Sequence, residues 1–311
     1  LFHPAFVTPG GAEILCAQEA RFLRDHGDEV EVVTLGYDPA RWADQLEGIP
    51  VRVTPKRHWT DPFFGFTRMA KLRTRGRRAA GSLSGFEVVV AHNFPCNAML
   101  GSVDMDARRV WQCNEPPRGL HVRLANPRLS GWVEGGNPGD EASSATWRKT
   151  LRVHDDALAK GGSQAIRARY DIEQTAKLDH IFAISQFSRD NARAIYGRCG
   201  EEVVYPIVQF PDQARNRRGI DRSGLRILVH SRLEILKNID TVIRGFASFH
   251  QAHPDSRMHI VGDGAARADL EVLALQGLPA GAVTFHGYLP SAELSQVYDQ
   301  SDVFALLTLD E

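Results

Sequence analysis

Two basic side chains that could hold an anion stand close together in the second half of the chain. Arg232 and Lys237 are five residues apart, after the predicted strand 225–229 and before a helical stripe that begins at Ile239. A guanidinium and an ammonium at the start of a helix can both reach a diphosphate. A solvated basic turn is the alternative. The position after a strand, where α/β sheets bind ligands, favours the functional role.

Paired glycines stand at two other predicted turns. Gly10 and Gly11 lie between a short strand remnant and the first predicted helix, where backbone N–H groups could meet an anion and where a plain tight turn fits equally well. Gly262 and Gly264, in the run Val-Gly-Asp-Gly, are similar to the start of a dinucleotide fingerprint that lacks its third glycine. We interpret this second pair as a turn that lines a nucleotide pocket.

Two histidines also follow predicted strands. His92 ends the strand 88–91 and is placed to face a cleft, although a lone histidine is more often structural or solvated. A short loop after the strand 283–285 could hydrogen-bond the edge of a base through its backbone, or could simply pack on its own aromatic side chains. This loop consists of His286, Gly287, Tyr288 and Leu289.

Charged residues follow two further predicted strands. Asp310 and Glu311 end the last strand, where carboxylates could accept hydrogen bonds from sugar hydroxyls or face a developing positive charge. Glu115 and Arg118 belong to the rigid sequence Glu-Pro-Pro-Arg, and Arg118 could meet an anionic group. A solvated turn is the alternative for the first pair, and a proline-locked loop for the second.

All of these positions fall at the ends of strands in a repeating strand–helix pattern. The strand candidates are 30–33, 51–53, 88–90, 109–111, 181–184, 225–229, 258–261, 283–285 and 303–307. Strands that alternate with helices imply parallel sheets with helices on both faces. The polar, basic stretch 211–219 marks a boundary. We therefore predict two Rossmann-like α/β domains, 1–212 and 222–311, which face each other across a cleft.

Local signals set the ends of three helices. Gly27 can stop the first helix in a left-handed cap. Ser185 or Ser188 is expected to cap the helix after the strand 181–184, and Ser291 to cap a helix that reaches Tyr298. Both chain ends look truncated, because Leu1 begins within a strand and Glu311 follows a strand without the helix expected next.

The composition limits the function classes. The 311 residues carry a net charge of −1, so no global field attracts the chain to nucleic acid. The four cysteines show no zinc-ligand spacing, and free thiols in a reducing compartment are the favoured interpretation. We therefore expect a cytoplasmic protein without a bound metal. The sequence contains no run of about 18 apolar residues, which is the length that a membrane-spanning helix would need.

The segment Arg68–Arg78 raises a separate possibility. It is rich in bases, aromatic residues accompany it, and no acid lies between Asp61 and Glu87. Such a pattern suits a helix at the surface of an anionic membrane, here the inner face. A solvated helix with one face in the core explains it equally well.

Taken together and in this order, the motifs resemble the retaining glycosyltransferases of family four, which have the GT-B fold. The strongest match runs from Ile227 to Glu311, through S-R-L-E-I-L-K-N-I-D, I-V-G-D-G, V-T-F-H-G-Y-L and S-D-V-F-A-L-L-T-L-D-E. The amino-terminal P-G-G-A-E, the segment D-H-I-F-A-I-S-Q-F-S and the segment V-V-Y-P-I-V fit the same family. The E-P-P-R segment resembles the corresponding segment of family members that act on lipid-linked or polysaccharide acceptors.

The resemblance implies a hexosyltransferase that takes a UDP-, GDP- or other nucleotide sugar and a glycan or lipid-linked acceptor, and that retains the anomeric configuration. The first domain would serve the acceptor and the second the donor, with the donor site in the cleft. Gly10 and Gly11 would approach the donor phosphate, while Arg232 and Lys237 would neutralise the leaving diphosphate in place of a metal.

Two further roles follow from the same resemblance. His92 would face the donor sugar, and Glu311 would hold that sugar as the first acid of the family's Glu-x7-Glu motif. The second acid of this motif would lie beyond the chain. Ser231 stands where glycine is usual, so the diphosphate loop is expected to be tighter than in relatives.

Three other functions fit parts of the pattern. An epimerase or phosphorylase can share the same two-domain fold, and its products would distinguish it. A non-catalytic nucleotide-binding module would not need His92, Arg232, Lys237 and Glu311 together. A hydride-transferring enzyme rests on Gly262 and Gly264 alone, without a fingerprint in the first strand–helix unit.

Overall fold

Two parallel β-sheets organise the residues that the computed structural model describes. These residues are 1–7, 10–54, 81–117, 120–121, 163–206, 224–234 and 237–308. The chain divides into two compact units, Leu1–Phe210 and Pro211–Glu311. The predicted domains, 1–212 and 222–311, differ from these units only around the basic stretch at the boundary, which lies outside the described residues.

The first unit is built on a six-stranded sheet. Its strands are β1 (Phe2–His3), β2 (Val32–Thr34), β3 (Val51–Val53), β4 (Val88–His92), β5 (Arg108–Cys113) and β6 (His180–Ala183). They are all parallel and lie in the order β3-β2-β1-β4-β5-β6. In this Rossmann order the direction of winding reverses between β1 and β4, which is where such sheets bind ligands.

Helices lie on both faces of this sheet, as predicted. They are α1 (Gly11–Asp25), α2 (Pro39–Trp42), α3 (Cys96–Gly101), α4 (Ser163–Thr175) and α5 (Gln186–Tyr196). Successive residues of β2 belong to different apolar clusters, because side chains alternate across a strand. Val32 packs with Cys16 and Ala20 of α1, whereas Val33 joins the cluster of Trp111 and Met99.

A buried polar network ties three helices of the first unit together. The carboxylate of Asp171, on α4, is fully buried and accepts hydrogen bonds from Asn97 Nδ2 (2.8 Å), His121 Nε2 (2.8 Å) and Tyr196 Oη (2.6 Å). Asn97 also donates to Thr175 Oγ1 at 2.9 Å. Because a buried carboxylate needs several donors, these contacts fix α3, α5 and residues 120–121 around α4.

The second unit has a four-stranded parallel sheet. Its strands are β7 (Arg226–His230), β8 (Arg257–Val261), β9 (Val283–Gly287) and β10 (Val303–Phe304), in the order β10-β7-β8-β9. The helices are α6 (Ile239–Ala252), α7 (Arg267–Gly277) and α8 (Ser291–Gln300). The winding of this sheet reverses between β7 and β10.

The core of the second unit contains the predicted helical stripe. Ile239, Val242, Ile243 and Phe246 of α6 are buried in one cluster with Met258 and Ile260 of β8, and Ala247 is half-buried. Within the described parts of the chain, no helix combines the length and apolar character needed to cross a lipid bilayer.

The predicted helix ends were partly right. Gly27 has a φ of 98° and follows the last residues of α1, and its N–H donates to Arg24 O at 3.0 Å, as a left-handed cap requires. Ser185 is confirmed as the cap of α5, since its hydroxyl accepts from Ser188 N at 3.0 Å. The prediction for Ser291 was wrong, because the extended Pro290 takes the N-cap position and Ser291 is already the first residue of α8.

The last predicted strand is shorter than expected. β10 ends at Phe304, and Leu306 and Leu307 lie outside it and are exposed. The apolar run 303–307 has the composition of a buried strand, but only its first two residues pair with β7 among the described residues.

Two helical glycines provide a test of the packing. A Cβ on Gly101 would collide with the backbone carbonyl of Gln174 on α4, whereas a Cβ on Gly245 of α6 would meet nothing within 4 Å. We expect Gly101→Ala to lower the free energy of unfolding by about 1–3 kcal/mol, because two helix backbones must separate. We expect Gly245→Ala to raise it by about 0.5–1 kcal/mol, through helix propensity alone. Calorimetric unfolding measures both, and an unperturbed Gly101→Ala protein would contradict the close helix contact.

Candidate functional site

The carboxyl edge of the second sheet brings two chain segments together where the winding reverses. The loop 231–234 follows β7, and residues 305–308 follow β10, its neighbour in the sheet. Asn238, at the start of α6, joins the two segments by donating from Nδ2 to Leu307 O at 3.0 Å. Its Oδ1 accepts from Thr241 Oγ1 at 2.8 Å, and its backbone is left-handed with φ 51°. Asn238 was not among the predicted site residues.

The two predicted cations lie at this edge. The Arg232 side chain is 71% exposed and pairs with Glu234, Nη1 to Oε1, at 3.0 Å. Lys237 is half-buried and precedes Asn238 and the amino-terminal turn of α6, and its N–H donates to Glu234 O at 3.0 Å. The Asn238 side chain makes no capping hydrogen bond to this helix, so the helix amino terminus that follows Lys237 can attract an anion.

Gly262 and Gly264 hold the Arg232 loop in place. Ser231 N donates to Val261 O at 3.1 Å, and Leu233 N donates to Asp263 O at 2.9 Å. A Cβ on Gly262 would collide with the carbonyl of Ser231, and a Cβ on Gly264 with that of Leu233. The two glycines are therefore required by contact between two backbone turns. Their predicted contact with a nucleotide remains a prediction.

The loop His286–Leu289 begins at a β-bulge. Ile260 pairs with Phe285 and Val261 pairs with Gly287, so His286 is the extra residue. Its Nε2 lies 3.0 Å from Nδ1 of His259, and burial lowers the pKa of His286.

The rest of this loop lies at the same strand end. Gly287 O accepts from Gly262 N at 2.8 Å, which ties the loop to the turn beside Arg232. Leu289 is half-buried, and Tyr288 is 76% exposed. Tyr288 therefore does not pack the loop, whereas the His286 ring lies against that of His259, with centroids 5.2 Å apart.

The carboxyl edge of the first sheet carries the predicted glycine turn. Gly10 is the N-cap of α1 and Gly11 is the first residue of this helix. The carboxylate of Glu13 reaches back over them, since a Cβ on Gly10 would lie 2.5 Å from Glu13 Oε2. Glu13 Oε1 is also 4.0 Å from Nε2 of the buried His3. A side-chain carboxylate thus lies at the helix start for which a donor phosphate was predicted.

His92 lies at the same edge and is completely buried. It ends β4 beside β1, and its ring centroid is 6.1 Å from that of His3. His92 Nε2 lies 3.3 Å from Oε2 of Glu19, which projects from α1. Burial lowers the pKa of His92 well below its usual range, lowers that of His3 to about 4 and raises that of Glu19 to about 7.

His3, Glu13 and Glu19 contact the predicted residues Gly10 and His92 at this edge, or lie close to them, but the sequence did not point to them as site residues. Glu13 and Glu19 lie on a helix whose other residues form an ordinary amphipathic stripe. His3 lies in a strand of only two residues, which is too short to give a strand pattern in the sequence. A reading of the Rossmann strand order, which places β1 beside β4, would have brought His3 and His92 together.

The remaining predicted residues fall into two groups. Glu115 is exposed after β5, whereas Arg118, Glu311 and the basic segment Arg68–Arg78 lie outside the described residues. The cytoplasmic location and the membrane contact remain predictions. In the parts of the chain that the structure describes, no three His, Cys, Asp or Glu side chains are grouped to hold a metal ion.

Comparison with known proteins establishes the family. Residues 10–207 match the glycosyl transferase 4-like domain, and residues 211–311 match glycosyl transferases group 1. The chain therefore belongs to the family-four glycosyltransferases, which confirms the resemblance seen in the sequence. The predicted fold class, two Rossmann-like α/β units of the GT-B type, is confirmed as well.

Two protein sequences are similar over different lengths. The D-inositol 3-phosphate glycosyltransferase of Thermomonospora curvata is 29% identical over 178 residues, which cover 49% of this chain and 41% of that protein. An uncharacterized glycosyltransferase of Methanocaldococcus jannaschii is 22% identical over 305 residues, which cover 97% of this chain and 72% of that protein. The match to the first relative thus spans less than half of its length.

Two solved structures share the fold over 99% of this chain. WaaG, a glycosyltransferase involved in lipopolysaccharide biosynthesis, has a TM-score of 0.62 at 14% identity, and 74% of its chain is covered. HepE of Anabaena, solved in complex with UDP-glucose, has a TM-score of 0.62 at 14% identity, with 73% of its chain covered.

Asn238 can be tested by two substitutions that remove the same side-chain contacts. Asn238→Gly keeps the left-handed backbone favourable, and we expect it to lower the free energy of unfolding by about 1 kcal/mol, for the lost hydrogen bonds. Asn238→Ala adds the cost of a left-handed alanine, so we expect about 2 kcal/mol. Calorimetry on both variants reads the difference, and equal losses would contradict the strained backbone at this position.

Proposed function

We propose that this protein transfers a hexose from a nucleoside-diphosphate sugar to a glycan or lipid-linked acceptor, with retention of the anomeric configuration. The observation that carries the proposal is the carboxyl edge of the second sheet, where Arg232, Lys237 and the start of α6 meet beside the chain that leaves β10. This edge is the position at which α/β sheets bind nucleotides, and the family membership of the chain supports the reaction class.

Charge stabilisation at the leaving group is the chemical task of this edge. Breaking the bond between the sugar and the diphosphate leaves negative charge on the phosphate oxygens. Two cations and the amino terminus of a 14-residue helix stabilise that charge, and they do so more strongly once the bound donor excludes water. We propose that they act in place of a divalent metal ion.

The first unit contributes recognition of hydroxyl groups in this proposal. The Glu13 carboxylate beside Gly10 disfavours a second anion there, which supports assigning the diphosphate to Arg232 and Lys237. The partly exposed Glu13 carboxylate is suited to hydrogen bonds with sugar or acceptor hydroxyls. His92 is completely buried, and its contact with the donor sugar stays a prediction. We retain Glu311 as the acid that holds the donor sugar, and Glu115 and Arg118 as acceptor-side residues.

The first donor to test is UDP-glucose, because HepE was solved with it. A ligand that binds only the folded protein raises the unfolding temperature. We expect Arg232→Ala to unfold at the same temperature as the wild type without ligand, because the side chain is exposed, and to bind the donor about 10–100-fold more weakly. Titrations with other UDP- and GDP-sugars follow if UDP-glucose gives no shift.

Arg244→Ala is the matched control. Arg244 is a half-exposed arginine on α6 of the same unit and pairs with Asp240 at 3.8 Å. Its loss is expected to leave the donor-induced shift unchanged. Equal donor-induced shifts in the wild type and in Arg232→Ala would contradict the assigned role of Arg232.

The stereochemistry is tested separately. NMR of the transfer product identifies its anomer, and we expect the anomeric configuration of the donor to be retained.

A further inference from the structure

An acidic side chain lies against the buried histidine of the first unit. Glu19 is in the middle of α1, and its carboxyl group lies over the carboxyl ends of β4 and β5. His92 and Gln112 are direct partners in the parallel pairing of these strands. His92 is completely buried, Gln112 is 2% exposed, and the Glu19 side chain is 20% exposed. Three polar side chains from three elements therefore share one nearly water-free space.

The distances make Glu19 the partner of one particular imidazole nitrogen. Glu19 Oε2 lies 3.3 Å from His92 Nε2. Among the described residues neither nitrogen of His92 has a hydrogen-bond partner, and neither does Glu19 Oε2, so the carboxyl group must rotate slightly to turn this 3.3 Å contact into a hydrogen bond. Gln112 also hydrogen-bonds the Glu19 carboxyl group.

A neutral imidazole can meet a carboxyl group in two ways. A protonated carboxyl donates its O–H to Nε2, which leaves the ring proton on Nδ1. An ionised carboxylate accepts from Nε2–H, which leaves a lone pair on Nδ1. The other nitrogen thus changes from donor to acceptor while the imidazole stays neutral.

We propose that Glu19 is a positioning residue for His92, and that its protonation state selects the tautomer and thereby sets whether Nδ1 offers a donor or an acceptor. The consequence for sugar recognition rests on the proposed function, whereas the tautomer selection itself does not. Nδ1 is buried in this structure, so a sugar hydroxyl must first reach it, and its hydrogen bond would then run in opposite directions in the two tautomers.

The Glu19 carboxyl group beside His92 is expected to change its protonation state near neutral pH. Burial, opposed by the hydrogen bond from Gln112, raises the pKa of Glu19 from an ordinary 4.5 to about 7. Burial also keeps His92 neutral, so the Glu19 proton decides the tautomer. The other ionisable groups around these two are His3, Glu13, Cys16 and the amino group of Leu1.

Nitrogen NMR of the full chain tests the proposal directly. In protein labelled with 15N-histidine, the shifts of the two ring nitrogens identify the tautomer, and the His92 signals are assigned by their loss in His92→Asn. We expect the protonated nitrogen to change from Nδ1 to Nε2 as the pH rises from 5.5 to 8.5. We expect one tautomer throughout this range in Glu19→Gln, because an amide does not titrate.

Glu13→Gln is the matched control, since Glu13 lies on the same helix but beside His3 instead of His92. It is expected to leave the transition of His92 in place. A single tautomer in the wild type at all pH values overturns the proposal, and so does a transition that persists in Glu19→Gln.

Thermal unfolding supplies a second measurement. The pKa of Glu19 is raised on folding, so its stabilising effect is complete below about pH 4.5 and is lost as the pH rises towards about 7. The unfolding temperature of the wild type should therefore fall relative to that of Glu19→Gln within this window, by several degrees, and run parallel to it above pH 8. Parallel curves throughout would contradict the buried proton.

These outcomes are separate from those for donor binding. UDP-glucose binding that depends on Arg232 and an absent tautomer change would remove only the role of Glu19. A tautomer change without any binding of nucleotide sugars would leave the Glu19–His92 pair in place and remove the proposed transferase function.

Discussion

The close approach of two backbone turns at the carboxyl edge of the second sheet is the constraint on which the proposed donor site depends. The turn 262–264 touches the loop 231–233 so closely that neither Gly262 nor Gly264 has room for a Cβ. Hydrogen bonds between the two turns then fix the backbone on both sides of Arg232. The arginine side chain can remain exposed and adaptable because its backbone is held by rigid neighbours.

The first unit handles polar groups by burial. His3 and His92 are both completely buried at the carboxyl edge of its sheet, and a charged imidazole there would lack the water that stabilises it. Both rings therefore stay neutral, and Glu19 is driven towards its protonated form. Burial thus keeps His3 and His92 neutral, whereas the Arg232 side chain at the edge of the second sheet is 71% exposed.

The sequence predicted most of the fold because the strand–helix alternation is a local signal. It placed Arg232, Lys237 and His92 correctly after β7 and at the end of β4, since parallel strands present their carboxyl ends at one edge. It could not show that Gly262 and Gly264 serve backbone packing, because their packing partners, Ser231 and Leu233, are each 31 residues away in sequence. The role of Glu19 could not be predicted for a similar reason. The Glu19 side chain becomes buried and comes to lie beside His92 only when α1 packs over β4 and β5. The prediction for Ser291 failed because the extended Pro290 already takes the N-cap position of α8. A residue type that favours capping does not by itself reveal at which residue the helix begins.

The ion pair between Arg232 and Glu234 bears on how the second unit would take up a diphosphate. The carboxylate is 3.0 Å from the guanidinium and competes with any incoming anion. Both side chains are substantially exposed, however, and exposed pairs of this kind contribute only about 0–1 kcal/mol. A diphosphate offers more negative charge and can accept two parallel hydrogen bonds from the guanidinium. The proposed diphosphate can therefore displace Glu234 from the guanidinium at little cost in free energy.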